Sequence, residues 1–246
     1  MATTHLTVVP VTPGQSRYGA LAAALRARVV AGEWPPGSAL PAEQTLAAEH
    51  GVALGTLRRA LELLADQGLI ERIHGRGTFV RSGMTGATMM RFFRFGEGTG
   101  EVPASRIVSR QLLGAPAEVA RRLGLARGDT ALRLQRVRSF NDQPCVFEDI
   151  WLPLPLFSAV AESDTADWGD LLYPLFAERC GVHVHRVIDE IAFAALTAAQ
   201  ARHLALSAGH PCALVTRNAY DLAGHCVEVR FTRGDAHAFH YTVTIT

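Results

Sequence analysis

The chain has 246 residues, 48% hydrophobic and 19% charged, with a formal net charge of +1. That balance supplies apolar side chains for two modest cores or one large one. It leaves no room for a long disordered tail and argues against indiscriminate coating of a polyanion. All 24 basic residues other than histidine are Arg, the four cysteines show no CxxC spacing, and neither a signal peptide nor an apolar run of about 18 residues is found, so we expect free thiols in a reducing cytoplasm.

Residues 1–16 contain Pro10, Pro13 and Gly14 without periodicity and read as a disordered leader. The spacing predicts a first helix from Tyr18 to Ala31, with Tyr18, Leu21, Leu25 and Val29 on one stripe and Gly32 as its stop. Trp34-Pro35-Pro36-Gly37 forces a turn. A second helix comes next, from Ala42 to Glu49, with Pro41 at or near its first position and Gly51 closing it; Glu43 there suits the helix dipole. In the third helix Leu57, Ala60, Leu61 and Leu64 recur at i, i+3, i+4 and i+7 before a stop at Gly68. Leu69–Arg72 and Thr78–Arg81 then read as two short strands around the basic loop Ile73-His74-Gly75-Arg76-Gly77, whose glycines suit a tight turn. Thr56, Arg58 and Arg59 stand outside the core near the start of the third helix. Hydroxyl and guanidinium groups there, followed by a hairpin with Arg at its tip, fit one helix in a DNA major groove and one loop on the adjacent backbone or minor groove. Residues 17–81 therefore read as a winged helix-turn-helix. Residues 1–83 hold a slight excess of Arg over acid and the remainder the reverse, which places the weak basic bias with that module.

Residues 82–104 read as a linker with Gly83, Gly86, Gly96, Gly98 and Gly100 spaced through it. Within it Met89-Met90-Arg91-Phe92-Phe93-Arg94-Phe95 is too apolar for a free tether and is expected to dock on the second domain. From 105 to 246 a weak duplication is visible: Glu118 to Ile150 and Ala199 to Phe231 each read as a short helix ending L-x-L-x-x-G, then a strand, a turn and a returning strand. Aligned on Gly128 and Gly209, Arg136 falls on Arg217; after a one-residue adjustment in the turn, Glu148 falls on Glu228. Two such units imply an α+β domain with an antiparallel sheet. Strand parity puts Arg136 and Arg138 on one face with Leu132 and Leu134, and Glu148 with Val146 and Ile150. Buried ions cost several kcal/mol each if unpaired, so these groups either neutralise one another or line a cavity for an anion.

Two further readings carry less weight. His183 and His185 could hold a metal with His203 or His210, but histidines at i, i+2 are more often solvent-facing or hydrogen-bonded, and no metal or cofactor is expected. No nucleophile stands with a base at motif spacing, so no enzymatic activity is expected.

A family resemblance rests on three ordered motifs. The A-G-x-x-x-P-G-x-x-L-P-A-E block, the G-V-x-x-x-T-x-R-x-A-L block and the G-R-G-T-F-V wing resemble the DNA-binding domain of GntR-type bacterial transcription regulators. Many such relatives carry Arg where this chain has Gln44, and Ser-Arg where it has Ala53-Leu54. The resemblance implies DNA contacts from Gln44, Thr56, Arg58, Arg59, His74, Arg76 and Gly77. Gln44 suits adenine where Arg would favour guanine. Residues from about Ser105 onward, through R-L-Q-R-V-R, N-D-Q-P-x-x-x-E-D-I-W-L-P, D-L-L-Y, E-R-C-G-V and V-E-V-R-F-T-R-G-D, are similar to the UTRA effector-binding domain of the HutC branch, whose fold resembles chorismate lyase. By that similarity Arg136, Arg138, Glu148, Tyr173, Glu228 and Arg230 line an effector site, and Arg94 closes it from the linker. Sugar-phosphate-binding relatives carry Ser where this chain has Leu171, so the resemblance implies a carboxylate or an aromatic acid at least as readily as a sugar phosphate. The implied protein is a homodimeric repressor of a palindromic operator, released by a small anionic metabolite; a lyase-like enzyme carrying a vestigial DNA-binding domain is the alternative.

Overall fold

A computed structural model describes residues 16–81 and 102–240. The expected leader except Ser16, and the Met89–Phe95 segment with Arg94, lie outside the described residues. The chain divides into two compact units, Met1–Gly83 and Met84–Thr246. No helix among the described residues is long and apolar enough to cross a membrane.

The first unit is three helices and a wing. Helix α1, Arg17–Val30, is capped by the Ser16 hydroxyl, which accepts from the Gly19 amide, and buries Leu21, Leu25 and Val29. Tyr18, expected on that stripe, is 36% exposed; it lies at the helix's open start, with the Arg59 guanidinium 5.8 Å from its ring. Helix α2 is Glu43–Glu49 with Ala42 as its extended N-cap. It begins one residue later than expected, because Ala42 stays in the extended region and Pro41 therefore precedes the cap. Helix α3, Leu54–Asp66, buries the predicted set Leu57, Ala60, Leu61 and Leu64. Each contributes roughly 1–3 kcal/mol by leaving water.

Strands β1, Ile70–Ile73, and β2, Gly77–Val80, pair antiparallel around the turn at 74–76. Gly75 and Gly77 have φ of +72° and +119°, conformations that residues with a Cβ rarely adopt. A third extended piece closes the wing. Ala39 bridges Phe79, the Leu40 amide donates to the Thr78 carbonyl at 2.8 Å, and the Val80 amide donates to the Ser38 carbonyl at 2.9 Å.

The second unit is one six-stranded antiparallel sheet with short helices on both faces. Its strands are β3 Ala104–Gly114, β4 Thr130–Phe140, β5 Gln143–Pro153, β6 Arg186–Ala195, β7 Pro211–Tyr220 and β8 Cys226–Asp235, in the order β3-β4-β5-β8-β7-β6. Helices α4, Ala117–Leu123, and α7, Ala198–His203, precede β4 and β7; α5, Ser158–Glu162, and α6, Leu172–Cys180, come from the intervening segment. The two repeats are thus laid out symmetrically about the β5–β8 junction. On one face Phe157 and Phe176, their rings 4.8 Å apart, pack with Leu132, Leu134 and Ile150. On the other, α4 covers Ala131 and Trp151, while α7 covers Val137 and Phe147. The β4–β5 turn uses Asn141 and Asp142, both with positive φ, as a tight hairpin requires.

Candidate functional sites

In the first unit the residues expected to contact DNA are exposed or half-buried on α2, α3 and the wing. Glu43 holds two guanidiniums: Arg58 Nε donates to it at 2.7 Å and Arg72 Nη2 at 3.5 Å. Arg72 Nη2 also donates to the Arg58 carbonyl at 3.4 Å. Glu43 therefore does more than suit a helix dipole, since it links α2, α3 and β1. The Arg58 side chain is still 56% exposed, so the pair contributes little stability and leaves guanidinium surface available to an anion. Gln44 and Arg59 are exposed and Thr56 is half-buried. Thr56 lies in the first turn of α3, whose N-cap, Ala53, provides no side-chain cap; uncapped first-turn amides are suited to a phosphate. On the wing His74, Arg76 and Gly77 are exposed, and the Arg76 guanidinium lies 5.8 Å over the Phe79 ring.

In the second unit β4, β5, β8 and α6 bring six of the predicted residues together. Arg136 and Glu148 are paired across β4 and β5, and Arg136 Nε donates to Glu148 Oε2 at 2.5 Å. Arg230 joins both acids, donating to Glu148 Oε1 at 3.2 Å and to Glu228 Oε2 at 2.6 Å. The Tyr173 hydroxyl, on α6, donates to Glu228 Oε1 at 3.2 Å, and the Arg230 guanidinium lies 5.5 Å over the Tyr173 ring. Arg138 Nη2 donates to the Pro103 carbonyl at 3.1 Å. None of these six residues is more than 6% exposed.

The electrostatics follow from that crowding. Burial alone would raise the Glu148 carboxyl, but Arg136, Arg230 and Arg138 outweigh it and hold the group well below the usual carboxylate range. Burial pushes the Tyr173 hydroxyl up to about 12, with Glu228 adding to the effect. It also brings Arg138 down to about 10, Glu148 opposing and the neighbouring guanidiniums reinforcing. Arg230 is shifted upward despite its burial, because Glu228 and Glu148 flank it. Three guanidiniums face two carboxylates, so these five ionic side chains carry one positive charge in excess.

Strand parity left pairing and cavity lining open for these groups, and Arg136 does both. Arg136 is neutralised by Glu148 and also forms part of the wall of a cavity of about 220 Å³, with Ser105, Arg106, Ile107, Trp168, Gly169 and Leu172 among its other walls. The roof is the segment between α5 and α6. It is tied down by Asp170, whose Oδ1 accepts from the Ser105 amide at 2.6 Å and whose carbonyl accepts from the Ser105 hydroxyl at 3.1 Å and from Arg136 Nη1 at 3.3 Å. Arg138, Glu148, Tyr173, Glu228 and Arg230 are not among the residues that form the cavity wall. Leu171 is the extended N-cap of α6 and lines a second, more open hollow with Asp170 and Pro174.

Sequence reasoning missed Arg106. It stands on edge strand β3, where its exposed position carries no periodic signal. It also left Arg217 as a repeat equivalent without a role. Arg217 donates from Nε and Nη2 to the two oxygens of Asp189 on β6, both at 2.7 Å. His183 and His185 precede β6 and do not group with His203 or His210.

Comparison with known proteins bears on both units. Residues 17–80 match the family described as bacterial regulatory proteins, gntR family, and residues 98–240 match the UTRA domain. The chain is 31% identical over 230 residues to an uncharacterized HTH-type transcriptional regulator of Rhizobium meliloti, covering 89% of this chain and 91% of that one. It is 29% identical over 223 residues to the HTH-type transcriptional repressor NagR of Bacillus subtilis, covering 88% and 90%. Among solved structures, the ligand-binding domain of a putative GntR-family transcriptional regulator from Bordetella bronchiseptica superposes with a TM-score of 0.55 at 30% identity, covering 58% of this chain and 92% of that one. PhnF from Mycobacterium smegmatis gives 0.56 at 26% identity, covering 92% and 98%.

Proposed function

From a chain that belongs to the gntR family of bacterial regulatory proteins and carries its UTRA domain, we infer a cytoplasmic, effector-responsive repressor that acts through DNA binding rather than catalysis. The protein works as a homodimer. One winged helix reads a half-site, so a palindromic operator needs two, spaced by one helical turn of roughly 34 Å or a multiple. Arg58, Arg76 and the first turn of α3 position the protein on phosphates. Gln44 reads a base edge, and Arg59, His74 and Gly77 complete the footprint.

The effector is a small anion, a carboxylate or aromatic acid before a sugar phosphate. The observation that carries this reading is Arg136: a guanidinium already oriented by Glu148 and by the Asp170 carbonyl lies in the wall of a partly open cavity that Arg106 also lines. A planar fork held in place suits a carboxylate. Of the rest of the predicted set, Glu148 holds that fork directly, Arg230, Glu228 and Tyr173 extend the network behind Glu148, and Arg138 adds positive charge beside it. Occupancy of the cavity withdraws the two winged helices from successive grooves. Coupling of about 1–3 kcal/mol between the sites changes operator affinity 5- to 150-fold.

The test is the mobility of the protein's own upstream promoter fragment, with and without a panel of small carboxylates, aromatic acids and sugar phosphates. One compound class should reverse the shift. Arg136→Ala should retain the shift and lose its reversal while still unfolding cooperatively, at a lowered temperature because a buried ion pair is broken. A variant that simply unfolds would leave Arg136 as a buried ion-pair partner and refute its role in the cavity. Reversal that survives in Arg136→Ala refutes the assignment of the cavity.

A further inference from the structure

At the far end of β8 from Glu228, three side chains converge that the cavity does not use. His210 closes the turn before β7; its amide donates to the Ser207 carbonyl at 3.1 Å and its carbonyl accepts from the Leu196 amide at 2.9 Å, so its backbone is held from both sides. Asp235 is the last residue of β8, in register with Cys212 on β7. Its Oδ1 lies 2.8 Å from His210 Nε2 and accepts from the His237 amide at 2.9 Å. His237, in the short 3-10 turn Ala236–Ala238, sets its ring edge-on to His210 with centroids 5.6 Å apart. One ligand atom from each of the three residues lies within 4.8 Å of the other two, and no other such group of three occurs among the described residues.

A purely structural account covers part of this arrangement. Asp235 caps the 3-10 turn and accepts from or balances His210, which explains the carboxylate and one imidazole. It gives the exposed His237 ring only its edge-on contact with His210, although a ring nitrogen lies within 4.8 Å of the same carboxylate. We propose that His210, Asp235 and His237 form a binding site for a first-row divalent transition metal, with zinc as the best match. Two imidazoles and one carboxylate are a borderline donor set, suited to zinc and its neighbours rather than to magnesium or calcium, which prefer oxygen alone. Three protein ligands leave at least one coordination position open to solvent or to an exogenous ligand. His210 and Asp235 are fixed by the β-ladder and the turn, and only the exposed His237 ring has to adjust. A bound cation joins the Ser207–Pro211 turn, the end of β8 and the 3-10 turn, and replaces the one side-chain to side-chain hydrogen bond among the three residues by three bonds to metal.

The proposal is independent of the effector reading and is tested without DNA. Tag-free full-length protein, stripped with chelator, is titrated calorimetrically with Zn²⁺ and separately with Mg²⁺. Cobalt(II) absorption serves as a spectroscopic check. We expect one equivalent of Zn²⁺ per chain, no Mg²⁺ binding, and a cobalt ligand-field band. His237→Ala truncates an exposed side chain and Asp235→Asn keeps the cap, so both should fold. Each should weaken Zn²⁺ by about 100-fold or more, at least the loss that removing even an outer-shell partner produces, and should abolish the cobalt band. Absence of Zn²⁺ binding overturns the proposal. So does Zn²⁺ binding unchanged in His237→Ala, which would place the metal on other histidines or cysteines, and so does Mg²⁺ binding of equal strength.

Discussion

Glu148→Ala is the perturbation that most directly probes the charge cluster. Glu148 is buried and accepts from both Arg136 and Arg230, so its removal leaves Arg136, Arg138 and Arg230 against Glu228 alone. Breaking a buried ion pair by deleting one partner costs about 3–5 kcal/mol, because the charge left behind is neither solvated nor paired. At roughly 3 °C per kcal/mol for a unit of this size, the melting temperature should fall by about 10–15 °C. Differential scanning calorimetry of the full chain can follow the transition of the second unit while that of the winged helix stays in place. A second variant separates charge from packing: Arg136→Met combined with Glu148→Met replaces the pair by apolar groups of similar length and should recover most of the loss.

The pH dependence has a definite sign. The carboxyl is depressed in the folded protein, so its contribution is full above the unfolded value of about 4.3 and is lost as pH falls toward the folded one. The stability gap between wild type and Glu148→Ala should therefore narrow on acidification below about pH 4. A cost under about 1 kcal/mol for Glu148→Ala, or a double variant as unstable as the sum of its parts, would refute the reasoning.

Two predictions concern the winged helix. Arg58→Ala should weaken binding to specific and nonspecific DNA alike and lower the salt slope by about 1, measured by titration over a range of salt concentrations; a loss confined to one operator base would contradict a phosphate role. Gln44→Arg should change base preference at a single operator position, read by binding-site selection, and an unchanged profile would remove Gln44 from base readout.

What was legible in the chain and what was not divides along a physical line. The Leu57, Ala60, Leu61 and Leu64 stripe, the wing turn at Gly75 and Gly77, and the inward parity of Arg136, Arg138 and Glu148 come from local periodicity, and the structure places them accordingly. Periodicity is blind to partners distant in sequence. Residues 38–40 follow the turn at Trp34–Gly37 and carry no strand signal, yet they pair with β2 because the Thr78 carbonyl and the Val80 amide face them. Glu43 reads as a helix-start acid, while its role as the joint between Arg58 and Arg72 depends on how β1 returns beside α3. Whether Arg136 pairs or faces a cavity could not be decided from parity either, because both outcomes use the same side of the same strand.

The duplication then explains why Arg136 lines the cavity and its repeat equivalent Arg217 does not. Arg136 and Arg217 are repeat equivalents on β4 and β7, and each lies beside an edge strand. Arg217 meets Asp189 across β6 and is held by both carboxylate oxygens. The residue that faces Arg136 across β3 is Ile107, which supplies no acid and instead lines the cavity with it. In one half the edge strand satisfies the guanidinium; in the other it leaves the fork to Glu148, the Asp170 carbonyl and whatever enters the cavity. The repeats differ again where Arg138 corresponds to Ala219, and Ile150 to Arg230, so each half adds one further Arg to the shared cluster. Exchanging Ile107 for Asp should therefore convert the Arg136 half into a copy of the Arg217 half. The variant should gain an ion pair across β3 and β4 and retain its fold, and effector titration should find the anion response lost. Retention of that response would mean that the asymmetry between the halves is not what makes the site.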